Sequence, residues 1–558
     1  MFISSINKSV SSFVQWLTDA FALRGNGQNS WLLSLLLVFA VAVLYGQFLW
    51  NPIVFDDVYF FRLGSDAMQH YGDTFAPFES RWLPYATLAW TGKLFGLEMI
   101  NFRIGNLLLH AATAVAIYLL LSELFRRVLP GWVSMRHGGN TLALNWVAFF
   151  AALFFALHPV AVYGAAYLIE RTIVMATLFS VLALYTYLRG LSEGRTGLLW
   201  VSVILYAVAV FSKEHAVTLP AVMLALTVLL EKPSKALFRR LWAVYVACAL
   251  IVIYVAMQKL GIMGASYEIN AFHMLNRVEA QHPLVLSELT QSALFFKYLM
   301  LWLLPNPAWM SVDMREPFAS SLFSPYWLAA AAFIGYGIFA FILLLKRGVV
   351  GLAGFAMLFP WLMFFTEFAV VRIQEPFVLY RSYLWVPGLF AAMPLITRYF
   401  RAKPLFLGLL AIGLMLIPLS INRLATFSHP LLLWDDAATL VQGRDNLVGV
   451  PRIYCNRGVY LSNAGLYKEA LEDFEKVIAL EPRYFMAYAG IGGVYFKQGL
   501  YAKAVNELSR AIALEPRYEL AFKERALTYL AMGNIKAAQA DFAESCRLGR
   551  KSSCQRLR

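Results

Sequence analysis

The hexapeptide Ala479-Leu480-Glu481-Pro482-Arg483-Tyr484 recurs as Ala513-Leu514-Glu515-Pro516-Arg517-Tyr518, 34 residues further on. Gly465, Gly499 and Gly533 keep the same spacing, as do Tyr467 and Tyr501, and Ala470, Ala504 and Ala538. A period of this length, closing on a Pro, reads as a repeated pair of helices with the Gly at the turn between them. Three such units fill residues 452–550, about the number needed before stacked pairs bury a continuous core. Working outward toward the N-terminus, the composition changes near residue 425, and everything before that point is far more apolar.

The whole chain of 558 residues is 60% hydrophobic and only 14% charged, with a mean hydropathy of +0.62. Average soluble domains are about 45–50% apolar and about 25% charged. A water-soluble globule could not hide this excess, so an ordinary soluble enzyme, a disordered chain and a disulfide scaffold are excluded. The expected fold class is all-α: a polytopic membrane helix bundle followed by a C-terminal tetratricopeptide-repeat α-solenoid. Apolar stretches at 31–50, 100–121, 143–157, 170–189, 197–211, 216–230, 240–260, 327–345, 349–367, 384–397 and 404–421 give about eleven spans. Residues 1–28 read as an amphipathic segment on the membrane surface, 29–425 as the membrane domain, 426–451 as a linker helix and 452–558 as the repeats.

The net charge of +14 sets the orientation. Arg126, Arg127 and Arg136, then Arg189 and Arg195, Lys232 to Arg240, Lys346 and Arg347, and Arg398 to Lys403 occupy every second loop. Basic loops are cytoplasmic, which places the N-terminus inside and the repeats outside. The same reading assigns the basic excess to the membrane and not to nucleic acid. Leu294 to Leu304 breaks the alternation. It is too short to span, is followed by Pro305-Asn306-Pro307, and reads as a re-entrant or interfacial helix.

Ionisable residues at the outer ends of the spans are the candidates for chemistry, because such groups are expensive at a membrane domain. Asp56-Asp57 follows the first span. Adjacent carboxylates in an apolar setting should raise one pKa, which suits a general base or a divalent cation; the plain alternative is a solvated turn. Arg81, with Arg103 and His110, comes next. His158-Pro159, Glu170-Arg171, Ser212-Lys213-Glu214-His215 and Tyr380-Arg381-Ser382-Tyr383 complete the outer set. Three cations, Arg171, Lys213 and Arg381, would suit a lipid-linked phosphate; singly, each could be a snorkelling anchor or a local ion pair. Asp435-Asp436 is the same dipeptide as Asp56-Asp57 but reads as a helix-start feature. Cys546 and Cys554, eight residues apart, can form a disulfide outside the cytosol; the alternative is two free thiols.

At these residues the chain resembles the transmembrane-and-tetratricopeptide-repeat O-mannosyltransferases and their bacterial relatives, within the GT-C glycosyltransferase fold. Phe55-Asp56-Asp57, Ser80-Arg81-Trp82-Leu83-Pro84, Asn106 to His110, His158-Pro159 with Arg171, Ser212-Lys213-Glu214, Arg381-Ser382-Tyr383-Leu384 and Trp434-Asp435-Asp436 match the motifs in order. The pattern departs at Val162-Tyr163, at Glu170, at Tyr380 and at Trp385-Val386, so mannose is not carried over. The resemblance implies inverting transfer of one sugar from a polyprenyl-phosphate donor to an acceptor hydroxyl, such as Ser or Thr of an exported protein. Asp56 would be the base and Asp57 its partner. Arg171, Lys213 and Arg381 would stabilise the leaving phosphate, with Arg81, His158, Glu170, Glu214 and Tyr383 in support. The loop 261–290, with Tyr267, Glu268 and His273, would close over the acceptor, and the repeats would hold the acceptor protein. No metal ligand set is expected beyond a divalent cation at Asp56/Asp57. The implied location is a bacterial inner membrane, with site and repeats in the periplasm. The competing readings are a ligase using a lipid-pyrophosphate oligosaccharide, a transporter, and a non-enzymatic assembly scaffold.

Overall fold

The computed structural model describes residues 30–61, 66–130, 143–265, 274–275, 281–322 and 324–556. The amphipathic segment expected at 1–28 and the loop residues Tyr267, Glu268 and His273 lie outside the described residues. Among those described the chain is helical, with one isolated antiparallel bridge between Met314 and Phe377. It divides into two compact units. The first comprises Met1–Met310, Phe318–Ile373 and Val378–Ser428; the second comprises Ser311–Pro317, Gln374–Phe377 and His429–Arg558.

Seven helices of the first unit are long and apolar enough to cross a membrane: Met99–Val128, Leu168–Glu193, Lys235–Lys259, Pro283–Leu303, Tyr326–Leu345, Gly348–Ala369 and Ala402–Thr426. Leu144–Leu157 and Pro159–Ala165 make an eighth if counted together, bent by 65°. The bend falls at His158-Pro159. Proline cannot donate to the preceding turn, and the His158 side chain caps the new helix by accepting from Val160 N at 3.2 Å. The expectation of about eleven spans is therefore corrected downward. Ser30–Gly46 and Thr196–Ser212 have 17 residues each, about 26 Å at 1.5 Å per residue, short of a hydrocarbon core of about 30 Å. The stretch at 384–397 is a 3₁₀ turn, Val386–Ala392, followed by the five-residue helix Met393–Thr397, each with a proline in its first turn.

The stretch read as a short piece at 294–304 is instead the C-terminal half of Pro283–Leu303, a helix of 21 residues. Its length would cross a bilayer, yet an irregular segment runs beside it throughout. Ser287 Oγ accepts from Arg372 N at 2.9 Å, Tyr298 OH donates to Val378 O at 2.9 Å, and Trp302 Nε1 donates to Ser382 Oγ at 2.9 Å. Non-helical backbone of this kind needs protein or water around it.

The basic helix ends of the first unit meet one another. Arg127 Nη2 bonds Glu193 Oε1 at 3.4 Å, Arg240 Nη2 bonds Leu191 O at 2.9 Å, and Arg347 bonds Val228 O at 2.9 Å and Glu231 O at 2.7 Å. Four of the loops read as basic from sequence, those after Arg127, Arg189, Glu231 and Lys346, thus meet at one end of the bundle. Lys235–Lys259 and Tyr326–Leu345 keep broad apolar faces exposed, including Leu250, Ile253, Ile334 and Phe339, as lipid-facing helices do.

In the second unit the repeats form three helix pairs: Val450–Asn463 with Tyr467–Leu480, Phe485–Lys497 with Tyr501–Leu514, and Glu519–Ala531 with Ile535–Arg547. Gly465, Gly499 and Gly533 adopt φ of 81°, 76° and 76° at the turns, a region that costs glycine least. The repeated Ala470, Ala504 and Ala538 are fully buried. Arg457 grips Asp473 with two bonds of 2.8 and 2.7 Å, and two repeats later Arg525 grips Asp541 with 2.7 and 2.8 Å. Asp435-Asp436 does not start a helix; it sits in the middle of Pro430–Leu440, where Asp435 accepts from Arg457 at 2.9 Å. Cys546 and Cys554 are joined in a disulfide.

Phe474 is fully buried, against Gly458 and Gly490 of the two flanking helices. Phe474→Ala should destabilise the repeats by about 3–5 kcal/mol. Limited proteolysis of the full chain across a temperature series should show cleavage within 450–547 at lower temperature than in the wild type, and an unchanged onset would remove Phe474 from the core.

Candidate active site

The aspartate pair is placed by its neighbours. Arg103, buried, donates to Asn51 O at 2.8 Å, Pro52 O at 2.5 Å and Ala166 O at 2.9 Å. It thereby ties the end of the first helix to the Tyr167–Glu170 turn. Phe55 then takes a φ of 54°, a left-handed conformation that is strained for a bulky aromatic residue. Asp56 N donates to Tyr167 OH at 3.0 Å, and the Asp56 side chain is half-buried. Asp57 opens the short helix Asp57–Phe61 and is fully buried. Its Oδ1 accepts from Ile169 N at 2.9 Å, while Oδ2 has no hydrogen-bond partner among the described residues.

Burial pushes the Asp57 carboxyl up to about 7, against the lowering pull of the Ile169 amide and Arg103. The sequence reading expected one aspartate to rise by mutual repulsion; here burial is the cause.

The turn that holds Asp57 also holds the next ion pair. Glu170 Oε2 accepts from Lys213 Nζ at 2.6 Å and from Thr172 Oγ1 at 3.2 Å, and Lys213 lies 4.6 Å from the centre of the Tyr380 ring. Beside Lys213, Glu214 takes a two-pronged contact from Arg81, whose Nε lies 3.1 Å from Oε2, and accepts from Ser80 Oγ at 3.3 Å. Arg381 Nη1 reaches Glu367 Oε2 at 3.1 Å.

These contacts divide the expected phosphate-binding trio. Lys213 and Arg381 end on different carboxylates, Glu170 and Glu367. Arg171 faces neutral acceptors only, with Nε to Asn106 Oδ1 at 2.7 Å, Nη1 to Thr87 Oγ1 at 3.2 Å and Nη2 to Phe102 O at 2.9 Å. His158 is a helix cap whose Nε2 lies 3.1 Å from Trp302 O, and Tyr383 OH bonds His110 Nδ1 at 2.6 Å. Both have structural work to do.

A cavity of about 610 Å³ opens between these elements. Its lining includes Arg81, Glu214, His215, Lys259 and Arg372 together with the apolar residues Val252, Val255, Ile262, Met263 and Phe365. Of the residues expected from sequence, Arg81 and Glu214 line it, whereas Asp57, Arg171, Lys213 and Arg381 do not. His215 was singled out from sequence only as the last member of the charged hairpin, and Lys259, Arg372 and the buried Glu367 were not picked out by sequence reasoning. Among the described residues no group of three or more His, Cys, Asp or Glu side chains could hold a metal ion, and Asp57 already spends one oxygen on Ile169.

Tetratricopeptide repeat family models match residues 451–484 and 487–518. The second unit is thus a tetratricopeptide-repeat domain, attached to a helical unit with membrane-length apolar helices. No curated protein matches the chain. Among solved structures, the "MamA RS-1 ArsTM double mutant" is 24% identical, over 22% of this chain and 70% of that one, with a TM-score of 0.20. The "APC/C hetero-tetramer Cut9-Hcn1" is 14% identical, over 85% of this chain and 88% of that one, with a TM-score of 0.18. Such superpositions are too loose to inform the fold.

The raised Asp57 pKa makes a signed prediction. A carboxyl held above its unfolded value favours folding below about pH 4 and loses that contribution as pH rises through about 7. Asp57→Asn should therefore raise the thermal midpoint of the detergent-solubilised protein at pH 8 and leave it unchanged near pH 4. A midpoint difference that does not vary with pH would show that Asp57 is not buried as a strained carboxylate.

Proposed function

We propose that the protein is a GT-C-type membrane glycosyltransferase that moves a single sugar from a polyprenyl-phosphate donor to an acceptor hydroxyl. The observation that carries this reading is the cavity. It pairs an apolar wall with three cations, Arg81, Lys259 and Arg372, against one carboxylate, Glu214. That combination matches a ligand with a hydrocarbon chain and an anionic head, and two ion-binding guanidiniums suit a phosphate. Among the described residues Lys259 has no ion-pair partner.

The aspartate loop supplies the other half. Ile169, which holds Asp57, precedes Glu170, and Glu170 is bonded to Lys213, the residue before Glu214 of the cavity lining. Asp56, half-buried, is the carboxylate that an acceptor hydroxyl can reach. In the proposed reaction Asp56 takes the hydroxyl proton as the acceptor oxygen attacks the anomeric carbon on the face opposite the phosphate. The bond from carbon to phosphate oxygen breaks, its electron pair leaves with the phosphate, and the cations stabilise that charge, a term that is often the largest in such steps. Asp57, fully buried, is the partner that fixes the loop. The repeats would present the acceptor, because stacked helix pairs of this kind expose a concave binding face. The gathering of basic loops at one end of the bundle supports a cytoplasmic placing of that end and an outer, periplasmic placing of the site.

Asp56→Ala should lower the turnover of purified protein, supplied with polyprenyl-phosphate monosaccharide and acceptor, by about 10²- to 10⁴-fold. Wild-type turnover in that variant would remove Asp56 as the base. In the same assay the acceptor should gain the mass of one monosaccharide. Addition of a preassembled oligosaccharide would instead identify a ligase, and no addition from any lipid-linked donor would favour the scaffold.

A further inference from the structure

One group in the cavity wall has no role in the scheme above. His215 follows Glu214 in the Glu214–Thr218 turn, lines the cavity and is 9% exposed. Neither of its ring nitrogens makes a hydrogen bond among the described residues. Nε2 lies 3.4 Å from the Glu367 carboxylate, and Nδ1 has no hydrogen-bond partner among the described residues.

The charges around His215 form a small system of their own. Glu367, buried at 2% exposure, has Oε1 at 3.4 Å from His215 Nε2. Its Oε2 lies 3.4 Å from Arg372 Nε and 3.1 Å from Arg381 Nη1. Glu214 is the other carboxylate near the imidazole, and it is engaged by Arg81. One buried carboxylate thus faces three basic groups, and two of the three, His215 and Arg372, also front the cavity. Arg381 does not line the cavity and is bonded to Glu367. An arriving anion would meet a guanidinium and an imidazole already aimed by a common carboxylate, so little ordering remains to be done on binding.

We propose that His215 and Arg372 form the headgroup subsite of this cavity for the lipid phosphate monoester that is released when the sugar leaves its phosphodiester donor, with Glu367 as the positioning residue for both. The assignment rests on the donor class proposed above and relocates the phosphate from Arg171, Lys213 and Arg381, none of which lines the cavity. The imidazole takes up a proton as the anion binds, and its N–H then donates to a phosphate oxygen. Val252, Val255 and Met263 line the part of the wall against which the chain lies.

The test is binding, not turnover. The full chain in detergent is titrated with a polyprenyl monophosphate and followed by native mass spectrometry near pH 6 and near pH 8. The monoester itself titrates near pH 6, so the informative quantity is the difference between wild type and variant. His215→Gln should weaken binding about tenfold near pH 6 and much less near pH 8; Arg372→Gln should weaken it at both. His215→Asn provides a second variant, and the thermal midpoint of each variant is read alongside to establish that it is folded. Equal affinities for wild type and both folded His215 variants at both pH values would overturn the proposal. So would inorganic phosphate that competes as well as the lipid, because the subsite would then serve a free anion. If the monophosphate binds as expected while no sugar is ever transferred, the reaction class falls and the subsite stands.

Discussion

Lys213 and Glu170 meet at 2.6 Å where each side chain is less than a tenth exposed. Withdrawing either charge from water alone would cost several kcal/mol, and removing one partner of such a pair leaves the other stranded. The pair therefore fixes two chain segments 43 residues apart, and the rest of the site hangs on those segments. On one side the turn at Leu168–Glu170 offers the Ile169 amide to Asp57. On the other, the residue after Lys213 is Glu214, whose bond to Arg81 builds the cavity wall. The aspartate loop and the cavity are consequently parts of one electrostatic assembly.

The same constraint explains why some charged residues do not meet a ligand. Arg103 and Arg171 each spend their guanidinium on three acceptors contributed by other segments. Five fixed donors suit an arginine to this task, and a helical bundle with few polar contacts needs such cross-ties. Asp57 is the exception: it is buried with one oxygen unpaired and is held there by its surroundings. Strain of this kind persists where the neighbouring structure over-determines it, here through Arg103, Tyr167 and Ile169.

Much of this was legible in sequence, and the misses share a cause. The repeats were legible because a 34-residue period is local in the chain, and their Gly and Ala positions occupy turns and core as that period requires. Asp56-Asp57, Arg81, Lys213 and Glu214 stood out because ionisable residues are rare in so apolar a chain. What could not be read was direction. Arg171 and Arg372 look alike as single cations in apolar surroundings, yet the first turns to Asn106 and the second to the cavity. Only the packing of several helices decides between them. Span counting failed for a related reason. Hydropathy registers apolar length, and Pro283–Leu303 and Val386–Thr397 are both apolar, but hydrogen bonds to the 370–383 segment and prolines at 387 and 394 govern what they become.

That 370–383 segment contributes residues to both units. Its middle, Gln374–Phe377, belongs to the second unit, together with Ser311–Pro317. There Arg315, fully buried, donates to Gln374 O and to Asp313 Oδ2 at 2.7 Å, and Arg452 of the first repeat reaches Glu375 at 3.1 Å and Asp313 at 3.6 Å. Gly449 is required in this arrangement: a Cβ there would meet the Arg315 guanidinium at 2.1 Å, and its φ of 85° suits glycine. The flanks of the same segment carry Arg372 and Arg381, the two guanidiniums on Glu367. A loop of irregular backbone has little stiffness of its own. Its order therefore comes from side chains: Arg315 and Arg452 hold Gln374–Phe377 within the second unit, and Glu367 holds Arg372 and Arg381 within the first.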